Sequence, residues 1–249
     1  MNEWFDNDSF WIETYPFMFP EKRFQDTEEQ IDNILQLIEF KGTSILDLCC
    51  GPGRCSIALA KKGYFVTGVD KTGFLLKKAI AKAKVENLSI GWIKDDMRNF
   101  KHPDSYDLIL SMFTSFGYFD DKNEDIEVLK NIFSNLKSGG KCLIDVMGKE
   151  RIAKILQPTT SETLDDGSMM VQKHRIFDDW TRIENEWIIV KNGKAESFKF
   201  HHTVYSGQEL KNLFEKVGFV NTRLYGDLEG RPYGSEAQRL IIVGEKPDK

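Results

Sequence analysis

Long apolar runs are missing from this chain. No stretch approaches the roughly 18–20 residues that a membrane-crossing helix needs, so the sequence offers no span. An excess of positive charge is missing as well: 34 Lys and Arg stand against 39 Asp and Glu, a net charge of -5 with the signs interleaved. Without a basic face to neutralise a phosphate backbone, nucleic acid is not an expected partner. Cysteine is sparse. The 4 present, Cys49, Cys50, Cys55 and Cys142, have no metal-ligand spacing, because Cys50 to Cys55 is too wide for a Cys-x-x-Cys pair and the adjacent Cys49 and Cys50 point apart. They read as small buried apolar residues in a reducing compartment, with a thiol-dependent or arsenic-handling site as the alternative; no metal is expected. Low-complexity linkers and internal repeats are also lacking. Met1 to Ser9 is polar and acidic, unlike a signal peptide. A chain of 249 residues then reads as one cytoplasmic α/β domain with an insertion.

What is present begins with Asp47-Leu48-Cys49-Cys50-Gly51-Pro52-Gly53. The apolar run Ser44-Ile45-Leu46 precedes it and the helical pattern Ser56-Ile57-Ala58-Leu59-Ala60 follows. A strand, a tight turn and a helix in that order aim backbone N–H groups and a helix N-terminus at one point. A second apolar run, Tyr64 to Val69, ends in Asp70. A carboxylate at the end of the second strand of such a unit is placed to take both hydroxyls of a ribose, so the pair predicts a nucleoside-containing cofactor. A dinucleotide fingerprint wants Gly-x-Gly-x-x-Gly against a pyrophosphate, yet the third glycine position is held by Ser56. Asp47, leading the turn, is ill placed beside a diphosphate and suits a ligand carrying positive charge.

Strands and helices alternate after this point. Ser44–Leu48, Phe65–Asp70, Ser89–Lys94, Tyr106–Ser111 and Gly140–Val146 read as strands, with helical patterns at Arg54–Lys62, Thr72–Val85 and Glu124–Leu136. Such alternation implies a doubly wound parallel sheet that binds ligands at the carboxyl ends of its strands. Residues 1–24 hold Trp4, Phe5, Phe10, Trp11, Tyr15, Phe17, Phe19 and Phe24 with Pro16 and Pro20, a segment too irregular for a long helix that must cover the core or a pocket mouth. Thr27 to Phe40 predicts an amphipathic helix. Residues 168–205 become β-rich, with Asn192-Gly193 as a hairpin signal, and read as an antiparallel insert over the sheet's mouth. Ser206-Gly207-Gln208-Glu209 is a capping box that starts a further helix, and two closing strands follow, Phe219–Tyr225 and Arg239–Gly244.

The Asp47–Gly53 turn with Asp70 resembles the nucleotide-binding motif of class I S-adenosylmethionine-dependent methyltransferases, an acidic residue, any residue, then Gly-x-Gly-x-Gly. The match lies at Asp47, Gly51 and Gly53, and Cys49 replaces the first glycine, which predicts a slightly tighter cavity. Asp96-Met97-Arg98, the run Ser111 to Tyr118 and the hairpin insert are similar to small-molecule members such as sugar N,N-dimethyltransferases of macrolide pathways. The resemblance covers roughly residues 25–245. It implies a doubly wound, mainly parallel seven-stranded sheet with the antiparallel insert after the fifth strand. It also implies S-adenosylmethionine as cofactor and methyl transfer to N or O of a small molecule by a monomer or homodimer. Expected cofactor-binding residues are Asp47, Cys49, Gly51, Gly53, Asp70, Lys71, Asp96 and Met97, with Ser111 and Phe113 on the pocket floor and Arg23 for the cofactor's carboxylate. Asp96 would accept from the adenine amino group while Met97 packs on the ring. Tyr118 stands where those dimethyltransferases carry a histidine, so a sugar amine does not follow from the resemblance. Tyr118, His202 and Tyr15 are the catalytic candidates; on a strand His201 and His202 face opposite ways, and the 227–233 loop is a further candidate for reaching the substrate.

The chain therefore divides into an aromatic lid and helix (1–40), a cofactor-binding core (41–150), the insert (168–205) and the end of the sheet (206–249). Two competing readings stand beside this one: an NAD-type oxidoreductase, against which the missing third glycine speaks, and a non-catalytic S-adenosylmethionine-binding or peptide-interaction module. An Asn-Pro-Pro-aromatic run, expected of a nucleic-acid methyltransferase, is absent.

Overall fold

The computed structural model describes residues 3–164 and 166–248; Met1 and Asn2, which open the lid segment, and Lys249, which ends the sheet segment, lie outside the described residues. Seven strands form the central sheet: β1 (Ser44–Leu48), β2 (Phe65–Asp70), β3 (Gly91–Lys94), β4 (Tyr106–Ser111), β5 (Leu136–Val146), β10 (Val220–Tyr225) and β11 (Leu240–Glu245), in the order β10-β11-β5-β4-β1-β2-β3. The five strands β1 to β5 run parallel, and β11 pairs antiparallel with β5 and β10. Parallel strands are covered on both faces, which is why Ile45, Leu46, Leu108, Ile109 and Leu110 are fully buried in unbroken apolar runs. On one face lie α2 (Glu21–Leu37) and α3 (Arg54–Lys61), contributing Ile31, Ile34, Ala58 and Leu59 to the core. On the other lie α5 (Lys122–Asn135) and α7 (Gly207–Val217), contributing Val128, Leu129, Leu210 and Phe214. Helix α4 (Gly73–Val85) links β2 to β3. The predicted capping box holds at α7: Ser206 Oγ accepts from Glu209 N at 3.2 Å, and Ser206 N donates to Glu209 Oε2 at 2.8 Å.

The aromatic N-terminal segment is more regular than its two prolines suggest. A 3-10 turn at Trp4–Asp6 leads into α1 (Asp8–Met18), where Asn7 accepts from Ser9 N at 3.0 Å as N-cap. Pro16 lies inside the last turn of α1, which runs on to Met18, and Pro20 is the N-cap of α2, so α2 starts six residues before the predicted Thr27.

The insert is larger than predicted. After α6 (Lys149–Ile155) it opens with β6 (Thr159–Thr163), whose polar Thr-Thr-Ser-Glu-Thr carries no alternation to read and lies at the sheet's edge. Strands β7 (Met169–Phe177), β8 (Arg182–Lys191) and β9 (Lys194–Thr203) complete a four-stranded antiparallel sheet, β6-β7-β8-β9. Asn192 and Gly193 both take positive φ, 52° and 74°, as a two-residue hairpin between paired Lys191 and Lys194 requires. Its inner face does not rest directly on the parallel sheet. Phe198, Phe200, Met170 and Ile189 pack instead on Phe10, Trp4 and Trp11, so the N-terminal segment is sandwiched between insert and core. Among the described residues no helix is long and apolar enough to cross a membrane.

Candidate functional site

The turn after β1 is built around Asp47. Its Oδ2 accepts from Ser56 N at 2.9 Å and Ser56 Oγ at 2.6 Å, tying the strand end to the first turn of α3. Burial pushes its carboxyl up to about 6, against the pull of those bonds. Ser56, at the position of a third glycine, thus serves as an anchor for Asp47. Gly51 has φ 55° and Gly53 φ 82°. The two glycines act differently. A Cβ on Gly51 would stand 3.9 Å from Phe19 and 4.0 Å from Leu75, both cavity residues, and would fill the cradle. A Cβ on Gly53 would meet the Trp92 ring at 2.8 Å and Ala79 at 3.0 Å, so Gly53 permits close helix–sheet packing and does not line the cavity expected for it. Cys49 also takes a positive φ of 61°, in the conformation that glycine would adopt without strain.

Asp70 ends β2 with one oxygen on Gly51 N and the other on Thr72 N, both at 2.7 Å, and burial raises its pKa against those bonds. The Thr72 side chain bonds the carboxylate as well, and of its roughly four acceptor sites at least one is left for a further donor. Past β3, Asp96 faces a cationic clamp: Arg98 Nη2 at 2.6 Å, Arg98 Nε at 3.0 Å and Lys71 Nζ at 3.3 Å. Burial pushes Asp96 up, but the Arg98 bonds and the Lys71 charge outweigh it and hold the carboxyl below its usual value. The same cations hold the N-terminal segment. Arg98 makes a second fork to Glu3 at 2.9 and 2.8 Å, and Lys71 reaches Glu3 at 2.8 Å and Asp6 at 3.0 Å. Lys71, expected at the cofactor, is therefore shared with the lid. Met97 lines the wall with its sulfur 3.5 Å from that of Cys49.

Beyond β4 the chain makes a left-handed pair, Phe113 at φ 58° and Thr114 at φ 62°. Non-glycine residues hold this conformation only when the surroundings fix it. Phe113 N donates to Asp145 Oδ2 at 3.0 Å, Thr114 N to the Asp145 carbonyl at 2.8 Å, and Arg239 grips Asp145 with two bonds of 2.6 and 2.7 Å. Tyr118 lines the cavity in an aromatic nest, with ring centroids 5.1 Å from Trp4, 6.4 Å from Phe200 and 4.9 Å from His202. Burial pushes its hydroxyl well above the usual tyrosine range. His202 is buried behind Tyr118, off the cavity wall, with Nδ1 lacking a hydrogen bond among the described residues. Burial, then the charges of His201 and His174, lower its pKa to about 4. His201 points the other way, 2.7 Å from Asp120. Three further expectations are corrected. Ser111 is fully buried beneath the floor. Tyr15 packs outside the cavity on Phe19 and Phe74. The 227–233 loop folds away, Tyr233 bonding Glu150.

These residues line a partly open cavity of about 230 Å³, below the roughly 300–1,000 Å³ of pockets that take whole ligands, and Trp4, Phe5 and Trp11 bring the N-terminal segment into its wall. The cavity also exposes Arg23, as expected, and Arg54, which sequence reasoning passed over. No group of three or more His, Cys, Asp or Glu side chains able to hold a metal occurs among the described residues.

The comparisons with known proteins decide what this cavity belongs to. A methyltransferase domain family matches residues 45–140, the stretch from β1 to β5. YqeM of Bacillus subtilis, a protein named as a methyltransferase, is 31% identical over 208 residues, spanning 81% of this chain and 83% of that protein. The chain belongs to the methyltransferase family. The methyltransferase takes S-adenosylmethionine as its donor, and the oxidoreductase alternative falls away. Its fold is shared with an S-adenosylmethionine-dependent methyltransferase from Clostridium acetobutylicum, TM-score 0.79 at 15% identity over 96% of this chain and 98% of that one. It is also shared with the sugar N-methyltransferase KedS8 from a Streptoalloteichus species, TM-score 0.70 at 18% identity over 93% and 91%. The residues present fit the donor: Gly51 leaves an open cradle at the turn, and the Asp70 carboxylate stands in the cavity wall at the end of β2.

Proposed function

We propose that this methyltransferase acts on a nitrogen or oxygen of a small molecule in the cytoplasm. S-adenosylmethionine, when bound, supplies an electrophilic methyl group on a sulfonium. Asp70 would accept from the ribose hydroxyls, Asp96 and Met97 would hold the adenine, the Cys49–Gly51 turn would bear the methionine portion, and Arg23 would take its carboxylate. The observation that carries the acceptor reading is the aromatic wall of Trp4, Phe113 and Tyr118 in the same cavity as that turn. An apolar aromatic wall beside a smaller set of polar groups suits a small organic acceptor. The likeness to a sugar N-methyltransferase fold supports the same size class.

Among the described residues no histidine lines the aromatic wall. His202 titrates near 4 from behind Tyr118, and the Tyr118 hydroxyl is held protonated. Positioning alone can contribute ~7–11 kcal/mol, so the chain's task is to orient the acceptor lone pair and let its proton leave to solvent, with Tyr118 as hydrogen-bonding partner. Tyr15 and His202 then act through packing.

Two measurements test this. Asp70→Ala should weaken S-adenosylhomocysteine binding by roughly 1–3 kcal/mol, the scale of charge-assisted bonds; unchanged affinity by calorimetry refutes the ribose role. Incubation with S-adenosylmethionine and a panel of small amines and hydroxy compounds should release S-adenosylhomocysteine with at least one class. Donor binding without turnover across the panel would return the non-catalytic module.

A further inference from the structure

Cations around the cleft are nearly all spoken for: Lys71 and Arg98 by Glu3 and Asp96, Arg239 by Asp145. Two are not. Among the described residues neither Arg23 nor Arg54 has a carboxylate partner; Arg23 donates only to the Met18 carbonyl at 2.9 Å. The Arg54 guanidinium lies over the Phe113 ring at 3.8 Å and more loosely over Phe19 at 5.8 Å. Stacking of this kind holds the planar group in place and leaves its N–H edge free for a bidentate anion. The acid nearest in sequence, Asp47, spends one oxygen on Ser56. Burial opposes the Arg54 charge, as do Arg23 and Arg239, while Cys55 and Asp47 support it without a bond, so an incoming carboxylate would offset the remaining deficit.

The donor brings one carboxylate, and the wall offers two guanidiniums. Their positions along the sheet edge divide the work. In the order β3-β2-β1-β4, Asp96, Asp70, Gly51 and Phe113 mark successive strand ends. The nucleoside is read at β3 and β2 and the sulfonium at β1. Arg54, seated on Phe113, stands toward β4, about 10 Å from the Asp70 strand at the usual spacing between strands. We propose that Arg54 is the specificity-determining residue for the acceptor and that the acceptor is a small carboxylic acid, its acid group forked by Arg54 and its nucleophilic N or O turned to the turn after β1. This rests on the small-molecule reading above and narrows it.

The test uses the full chain saturated with S-adenosylhomocysteine, titrated with benzoate, phenylacetate and salicylate, each beside its primary amide. The wild type should prefer at least one acid to its amide by roughly 10–100-fold, the range for bonds to a charged group. Arg54→Gln should erase that preference while S-adenosylhomocysteine affinity stays within about twofold, and Arg54→Lys, charged but without the fork, should restore only part of it. If Arg54→Gln instead weakens S-adenosylhomocysteine but not 5′-methylthioadenosine, which lacks the carboxylate, Arg54 serves the donor and the proposal is overturned. Equal binding of every acid and amide to the wild type overturns it too. Turnover of neutral amines or alcohols in that case would leave the small-molecule reading standing, so the two failures are separable.

Discussion

The two halves of the cleft are held by different forces. On the side proposed for the donor, Asp47, Asp70 and Asp96 each bond named partners, Ser56, Gly51 with Thr72, and Arg98. Every position there comes from a strand end and the turn behind it. On the side proposed for the acceptor, Trp4 and Tyr118 of the wall and Phe10, Trp187, Phe198 and Phe200 packed behind them come from four remote segments and meet through ring contacts with few hydrogen bonds. Hydrogen-bonded geometry suits a donor that never changes, whereas packed aromatics set a volume and can be recut for a new acceptor without disturbing the turn.

This contrast can be broken at its centre. Phe10→Ala empties a ring that is 2% exposed and touches both Trp4 and Phe200, and should cost about 3–5 kcal/mol in urea unfolding. A loss below about 1 kcal/mol would mean that packing does not hold the acceptor side. His202 offers a subtler probe. Its folded pKa near 4 lies below the ordinary 6.5, so the unfolded chain takes up the proton first as pH falls, and the histidine's contribution declines from pH 6.5 toward 4. Relative to His202→Phe, the wild type should therefore lose up to roughly 3 kcal/mol between pH 7 and 4. Asp47 and Asp125, both pushed up to about 6, act with the opposite sign in both proteins, so the difference between them is what counts. A gap that stays constant with pH would place His202 in contact with water.

On the donor side the expected effects are smaller. Cys49→Gly removes ~1–2 kcal/mol of left-handed strain and adds ~0.5–1 kcal/mol of unfolded-state freedom, so the melting temperature should rise slightly; a fall would assign the Cys49 side chain a packing role. Glu3→Gln weakens a partly exposed ion cluster worth under about 1 kcal/mol. It should speed S-adenosylhomocysteine release at low salt in stopped-flow traces and do nothing at high salt, where the cluster is already screened. An effect that persists at high salt would exclude a charge-based hold on the lid.

What could be read from the sequence follows the same divide. The turn, the strand-end placement of Asp70 and Asp96 and the parallel sheet were legible because each is written in a contiguous stretch. The N-terminal helix was misread where Pro16 and Pro20 resembled breakers, and β6 carried no alternation. Gly53 and Gly68 look alike on paper, yet both serve the Trp92 ring, a contact between segments that no local pattern records. Arg54 did leave a trace: a cation at the start of a helix opposes the helix dipole, and a residue placed against that gradient asks for a reason. The left-handed pair at Phe113 and Thr114 left none, since Asp145 and Arg239 that impose it lie far along the chain.

Cys49 brings a sulfhydryl to the edge of a chamber built for an alkylating reagent. Were it ionised it would be a softer and readier nucleophile than any amine, and the protein would consume its own donor. Burial, with Asp70, Asp96 and Asp47 arrayed around it, pushes that thiol far above its ordinary value. The acids at these strand ends thereby also keep the enzyme from marking itself.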